Sequence, residues 1–303
     1  MAPANTENNI HFKALRGKLT ENEPLSEHTS WRVGGPADWF YAPADMADLA
    51  EFILQVPAPK PVFWLGLGSN ILVRDGGIRG AVIQTAGLLN EIKSLDETTL
   101  YVEAGVSSAK VARFAARAGL TGAEFLSGIP GTFGGALAMN AGAWGTETWS
   151  LVQSVETLNR QGQFHRRQIT DYTIAYRSVK GPKNEWFVAA TLQLSPETEN
   201  SKAKIQALLK ERNDKQPVGL PCCGSVFRNP PDDYAARLIE EAGWKAHCVG
   251  GACVSEKHAN FIINHNAATA AEIENLIVQI KVSVKHMSGI SLIPEVHIVG
   301  ERT

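Results

Sequence analysis

Val62-Phe63-Trp64-Leu65-Gly66-Leu67-Gly68-Ser69-Asn70-Ile71-Leu72-Val73 decides between two fold classes. A short apolar strand runs into a Gly-x-Gly loop, which is how a Rossmann dinucleotide motif opens. That motif then needs a third glycine and a helix whose N-terminus faces the pyrophosphate. Here position 71 is Ile, and Ile71-Leu72-Val73 reads as a second strand. A strand–loop–strand turn has no helix dipole to offer. Its backbone N–H groups can still converge on a phosphate, because glycine permits close approach. The stretch therefore excludes a Rossmann fold and leaves a plain hairpin turn or a phosphate-cradling loop.

A second loop favours the cradle. The run from Gly128 to Gly145 mixes six glycines with Ile129, Phe133, Leu137, Met139 and Trp144. Linkers are polar and serine-rich, so a loop of this composition packs closely against something flat. Two glycine loops of non-Rossmann type point to a bulky dinucleotide such as FAD. The candidate cofactor contacts are Gly66, Gly68, Ser69, Asn70 and Ile71 in the first loop. In the second they are Gly128, Ile129, Pro130, Gly131, Thr132, Gly134, Gly135, Asn140 and Gly142.

Periodicity and caps place the helices. Asp45 opens one that runs to Gln55, and another spans Ser107 to Ala118 with Val111, Phe114 and Ala115 on one face. Ser201 to Arg212 is helical and stops before Gln216-Pro217, and a short helix covers Asp233 to Ala242. Thr269-Ala270-Ala271-Glu272 is a capping box, and the helix it opens ends at Gly289. Leu292 to Val299 alternates like a strand.

With 303 residues, 44% hydrophobic and 20% charged, the chain has the length for two or three domains. A net charge of -2 builds no field to gather nucleic acid or anionic lipid. No apolar run matches a membrane span, and the polar start Met1–Asn9 lacks the plan of a signal peptide. A cytoplasmic location follows as the expectation. Cys222, Cys223, Cys248 and Cys253 form no Cys-x-x-Cys pair, and no histidine cluster completes a metal site. Reduced thiols and no metal are expected, with Cys223 a candidate reactive thiol.

Cys223 adjoins Gly224-Ser225-Val226-Phe227-Arg228-Asn229-Pro230, where prolines and Gly224 favour a loop with short extended pieces. Ser225 lacks the flanking glycines of a Gly-x-Ser-x-Gly elbow, which argues against a hydrolase. This strap, the two glycine loops, Thr29-Ser30-Trp31-Arg32-Val33-Gly34-Gly35-Pro36, Tyr176-Arg177-Ser178, Gly250 to Ile262 (with Lys257-His258-Ala259-Asn260-Phe261) and Pro294-Glu295-Val296 occur in one order. Together they resemble the UDP-N-acetylenolpyruvoylglucosamine reductase family over about 22–300. The resemblance implies a mixed α/β (α+β) fold: a two-part FAD-binding module of the vanillyl-alcohol-oxidase (PCMH-like) type, and a C-terminal α+β substrate-binding domain. On that basis residues 1–86 and 87–198 are the two FAD-binding subdomains, the module covering about 29–197. Residues 199–296 are the substrate domain, and 297–303 are candidates for returning to the first subdomain.

The family's activity is NADPH-dependent reduction of an enolpyruvyl ether to a lactyl ether through FAD, in peptidoglycan precursor biosynthesis. By position, Arg177 matches the arginine that stabilises the enolate, Ser225 the proton donor and Glu295 the third catalytic residue. Hydride addition leaves negative charge beside the carboxylate, which calls for fixed donors and one proton source. An ionised Glu295 would repel that charge, so it reads as protonated or as a positioning acceptor. Arg177, Asn229 and Lys215 fall where the family contacts the UDP-sugar. Cys223 and His297 depart from the usual pattern, and the short span from Arg177 to Ser225 lacks the tyrosine-bearing loop of some members. A monomer is expected. Gly66 to Asp75 holds no histidine, so FAD is expected to bind non-covalently. That counts against the alternative, a flavin-dependent oxidase of the same superfamily acting on an alcohol or amine. A non-catalytic nucleotide-binding protein is the other alternative, and the trio Arg177, Ser225 and Glu295 counts against it.

Overall fold

The computed structural model describes residues 12–303, and the polar start Met1–Asn9 lies outside them. The Asp45 carboxylate accepts the Asp48 N–H and starts α1 (Met46–Gln55), which buries Leu49, Phe52 and Ile53. Around it run β1 (Lys18–Pro24), β2 (Pro36–Ala42), β3 (Val62–Leu65), β4 (Ile71–Val73) and β5 (Ile78–Gln84). Four of these make one sheet in the order β1-β2-β5-β3, with β5 parallel to both β2 and β3. β4 is not in it. The loop Gly66–Asn70 is therefore not a hairpin turn, since the strands it joins belong to different sheets.

The second unit is a five-stranded antiparallel sheet. β6 (Ile92–Ser94) lies at one edge beside β7 (Thr99–Glu103), followed by Glu185–Gln193, Val152–Asn159 and Phe164–Gln168. Ser107 caps α2 (Ser108–Arg117), whose Val111, Ala112 and Ala115 join this core. The glycine-rich stretch, expected as loop throughout, contains a short helix α3 (Phe133–Met139). Thr132 caps it, Phe133 and Leu137 bury against the sheet, and Asn140 ends it in the left-handed region (φ 46°). Burial of those two side chains outweighs the poor helix propensity of Gly134 and Gly135.

α4 (Ser201–Lys215) extends three residues beyond its expected end. Its Ile205 and Leu209 pack into the core of the second unit, although residues 199–296 were expected to form the third. The third unit holds α5 (Ala235–Glu241) and α6 (Ala270–Ser288). Its small antiparallel sheet consists of Cys248–Val249, Ala252–Val254 and Ile262–Asn264. α6 has the expected capping box at Thr269 and Glu272 and a left-handed Gly289 at its end. Its Ile273, Leu276, Ile277, Ile280 and Val284 are buried. Trp31 from the N-terminal unit is sealed into the same core, its indole N–H donating to Ile262 O at 2.7 Å.

Two expectations need correction. Cys248 and Cys253 are disulfide-bonded, not reduced thiols. The hairpin sets them directly opposite each other, and four intervening residues are enough for that turn. Cys222 and Cys223 are free. The strand expected over Leu292 to Val299 is confined to His297–Val299, because Pro294 has no N–H for a ladder. That strand lies parallel to β4, pairing His297 with Ile71 and Val299 with Val73. Further on, Glu301 N–H donates to Gly77 O.

A polar latch joins the first unit to the third. Arg74 binds the Glu274 carboxylate through two nitrogens at 2.8 and 3.0 Å, and the Asp75 carboxylate accepts the N–H groups of Ala270 and Ala271. Among the described residues, no helix is long and apolar enough to cross a membrane. No group of three or more potential ligands could hold a metal there.

Candidate active site

Residues 225–228 run antiparallel to residues 293–296. Arg228 N–H donates to Ile293 O at 2.9 Å, Glu295 N–H to Val226 O at 2.7 Å, and Phe227 bridges Pro294. This pairing brings Ser225 and Glu295 to the wall of one cleft of about 350 Å³. Asn70 ties the first glycine loop to the same segment. Its amide donates to Glu295 O at 3.1 Å and its carbonyl accepts His297 N–H at 3.1 Å. The β4 pairing thus carries the loop and Glu295 to one place across 225 residues of sequence.

Arg177 reaches the same cleft from a separate hairpin. Thr173–Ala175 and Ser178–Lys180 pair as a hairpin, leaving Tyr176 and Arg177 as its turn. Arg177 is left-handed (φ 52°), a region that residues with side chains rarely occupy. Partners hold it there. Arg228 Nη2 donates to its carbonyl at 3.0 Å, and the Asn140 amide donates to Ala175 O at 3.3 Å. The guanidinium donates from Nε to Glu295 Oε1 (3.0 Å), from Nη1 to Asn140 O (3.3 Å) and from Nη2 to Gly142 O (2.6 Å). It also lies over the Tyr176 ring, 4.9 Å from the centroid. A guanidinium has five N–H groups, so one on each terminal nitrogen is left over. Burial pushes the Glu295 carboxyl above its usual range, and the Arg177 charge and hydrogen bond pull it back.

Ser225 is half-buried in the cleft wall, and its hydroxyl has no hydrogen-bond partner among the described residues. Cys223 is different. It is fully buried, its thiol is pushed well up by burial, and it sits behind Asn70, which is the environment of an inert cysteine.

Of the expected cofactor contacts, Ser69, Asn70, Gly128, Ile129, Pro130 and Gly142 line the cleft. Ser69 Oγ donates to Pro130 O at 3.0 Å, which fixes one glycine loop against the other. The N–H groups of Leu67, Gly68, Ser69, Asn70, Gly131 and Thr132 donate to no protein acceptor among the described residues. Backbone donors left free on two adjoining loops suit the oxygens of a pyrophosphate, so the residues present fit FAD. Other expected contacts are committed to packing. A Cβ on Gly134 would lie 2.8 Å from the Ala104 Cβ, and one on Gly66 would meet Thr132 Oγ1. Ile71 is in β4, Gly135 donates to the Thr132 cap, and Asn140 carries the Arg177 turn.

Asn229 and Lys215 line the cleft as well. Asn229 also accepts the Ala235 N–H, and Lys215 is paired with Glu211 at 2.7 Å. Sequence reasoning missed Arg212, Trp144 and Tyr176, which line the same cleft. Arg212 has no carboxylate partner among the described residues, and burial lowers its pKa. A cation one turn before a helix-ending proline was the signal available for it. Trp144 packs over Gly128 and donates to Glu211 at 3.0 Å.

Comparison with known proteins identifies the family. Residues 37–167 match the FAD binding domain family, and residues 216–299 match the family described as UDP-N-acetylenolpyruvoylglucosamine reductase, C-terminal domain. A UDP-N-acetylenolpyruvoylglucosamine reductase of Methylococcus capsulatus is 56% identical over 94% of each chain. One from Coxiella burnetii is 49% identical over 96% of this chain and 98% of its own. The crystal structure of UDP-N-acetylenolpyruvylglucosamine reductase from Thermus caldophilus superposes with a TM-score of 0.79 at 31% identity, covering 94% of this chain and 99% of that one. With relatives matched over 94% or more of its length, the chain belongs to the UDP-N-acetylenolpyruvoylglucosamine reductase family.

Proposed function

We propose that this chain reduces UDP-N-acetylenolpyruvoylglucosamine to UDP-N-acetylmuramate in peptidoglycan precursor biosynthesis, with non-covalent FAD as cofactor and NADPH as reductant. It acts as a monomer in the cytoplasm. The observation that carries the reading is the convergence of Arg177, Ser225 and Glu295, from three distant segments, on a cleft walled by both glycine loops.

FAD held by the backbone donors of the two glycine loops would supply hydride chemistry, with NADPH as the electron source, and the acceptor is the enolpyruvyl double bond of the substrate. The electron pair displaced from the double bond spreads onto the neighbouring carboxylate. The two spare N–H groups of Arg177 hold that carboxylate and gain strength as its charge grows. Ser225 gives its hydroxyl proton to the adjacent carbon. An alkyl hydroxyl is a weak acid, but a carbanion is a strong enough base for the transfer to run downhill. The serine alkoxide recovers its proton from water, so the substrate has gained one hydride and one proton. Glu295 is the positioning acceptor for the guanidinium, taking its Nε–H at 3.0 Å. Asn229, Lys215 and Arg212 offer one donor amide and two cations to the UDP-sugar. The oxidase alternative is not favoured, since the relatives named above are all reductases.

Ser225→Ala is the test. FAD should stay bound and NADPH oxidation should stay fast. Reoxidation by the UDP-sugar should slow by at least the roughly 100- to 10,000-fold typical of general acid catalysis. Reoxidation at the unmutated rate would remove Ser225 from the mechanism.

A further inference from the structure

The Ser225 hydroxyl has no hydrogen-bond partner among the described residues, so its position is set by the backbone that carries it. One edge of that strap is paired with residues 293–296, as described above. Its other edge is held almost entirely by Asn260. The Asn260 carbonyl accepts Val226 N–H at 2.9 Å, its side-chain oxygen accepts Phe227 N–H at 2.9 Å, and its amide donates to Phe227 O at 2.8 Å. One buried asparagine (3% exposed) therefore replaces a strand partner for the two residues that follow the serine.

The setting of Asn260 is itself rigid. Its backbone N–H donates to His258 Nδ1, and two residues on, Ile262 starts the strand whose carbonyl takes the Trp31 indole. Val226 and Phe227 otherwise pack within an apolar cluster of the described residues. A side chain that both donates and accepts, at this length, is asparagine alone. Aspartate keeps the acceptor but turns a second oxygen towards Phe227 O, and alanine loses both bonds.

We infer that Asn260 is the positioning residue for Ser225, fixing the height of its hydroxyl in the cleft for proton delivery. The inference rests on the reading of Ser225 as the proton donor. It makes no claim on FAD or NADPH.

The experiment uses FAD-loaded protein and four variants: Asn260→Asp, Asn260→Ser, Ser225→Ala, and Asn260→Asp combined with Ser225→Ala. Flavin content and thermal melting report folding, and Asn260→Ser supplies the data if Asn260→Asp does not fold. Stopped-flow traces then measure reduction by NADPH and reoxidation by UDP-N-acetylenolpyruvoylglucosamine separately. The expected result for the asparagine variant is NADPH reduction within about twofold of the unmutated rate. The limiting rate of reoxidation should fall on the order of 100-fold, as for a reacting group misplaced by about 1 Å. The substrate concentration giving half that rate should change little. The double variant should be no slower than Ser225→Ala alone, because a misplaced hydroxyl and a missing one are the same defect. Additive losses in the double variant, equal slowing of both half-reactions, or reoxidation of the asparagine variant at the unmutated rate would each overturn the inference while leaving Ser225 in place. Fast reoxidation in Ser225→Ala would overturn both.

Discussion

Arg177→Lys separates the two halves of the catalytic cycle. The guanidinium spends three N–H groups on Glu295, Asn140 and Gly142 and keeps two for the substrate. A lysine ammonium has three donors on one atom, so it can keep Glu295 or face the substrate carboxylate but cannot repeat the fork. A hydrogen bond from a charged donor is worth about 1.5–3 kcal/mol net, and the substitution removes at least one bond to the developing enolate. Loosening of the turn adds to this, since the left-handed Arg177 loses two tethers at Asn140 and Gly142. A barrier raised by about 2–3 kcal/mol means reoxidation slower by roughly 30- to 150-fold. Stopped-flow absorbance with pre-reduced enzyme measures that step directly, and a second mixing measures reduction by NADPH. The account expects reduction to fall by no more than a few-fold. Equal loss in both steps would refute the reasoning and make Arg177 a support of the cleft in general.

Two further predictions concern titration and the latch. The Glu274 carboxyl is lowered to about 2, first by its hydrogen bond to Arg74, so it contributes up to about 3 kcal/mol at neutral pH. That stability is present above the usual carboxylate range and is lost as pH falls towards about 2. Glu274→Gln should therefore lower the melting temperature at neutral pH and lose this advantage of the unmutated chain in acid. Glu295 has the opposite sign, because burial raises it. Its ionisation weakens the fold as pH rises through and above the usual carboxylate range. The melting difference between Glu295→Gln and the unmutated chain should thus move in favour of the variant from mildly acidic pH to neutrality, and a difference independent of pH would contradict the buried position.

Local chemistry was legible in the sequence where one residue dictates one backbone state. Asp45 and Thr269 cap the helices expected of them, Gly289 ends α6, and the helix expected from Ser107 forms with that serine as its cap. The break from Rossmann geometry at Ile71 was equally readable, since Ile71-Leu72-Val73 is a strand. The partner of that strand was not. β4 pairs with residues more than two hundred positions away, and periodicity carries no information about which strand lies beside which. α3 escaped because propensity argues against a helix with two adjacent glycines, while burial of Phe133 and Leu137 decides for it. The cysteine pairing turned on a tight hairpin, a geometric fact that spacing alone leaves open. Of the candidate site, the trio was found by resemblance. Of their supports, Asn140 was expected only as a cofactor contact and Asn260 and Arg228 were given no role, because a buried amide or guanidinium gains its role from carbonyls distant in sequence.

If one cleft passes a hydride from NADPH to the enolpyruvyl ether of a UDP-sugar, the flavin reports both half-reactions. The visible spectrum of the purified, FAD-loaded protein tests it most directly. Anaerobic NADPH should bleach the flavin band, and one equivalent of UDP-N-acetylenolpyruvoylglucosamine should then restore it with formation of UDP-N-acetylmuramate. A band that NADPH bleaches but the UDP-sugar leaves bleached would contradict the account.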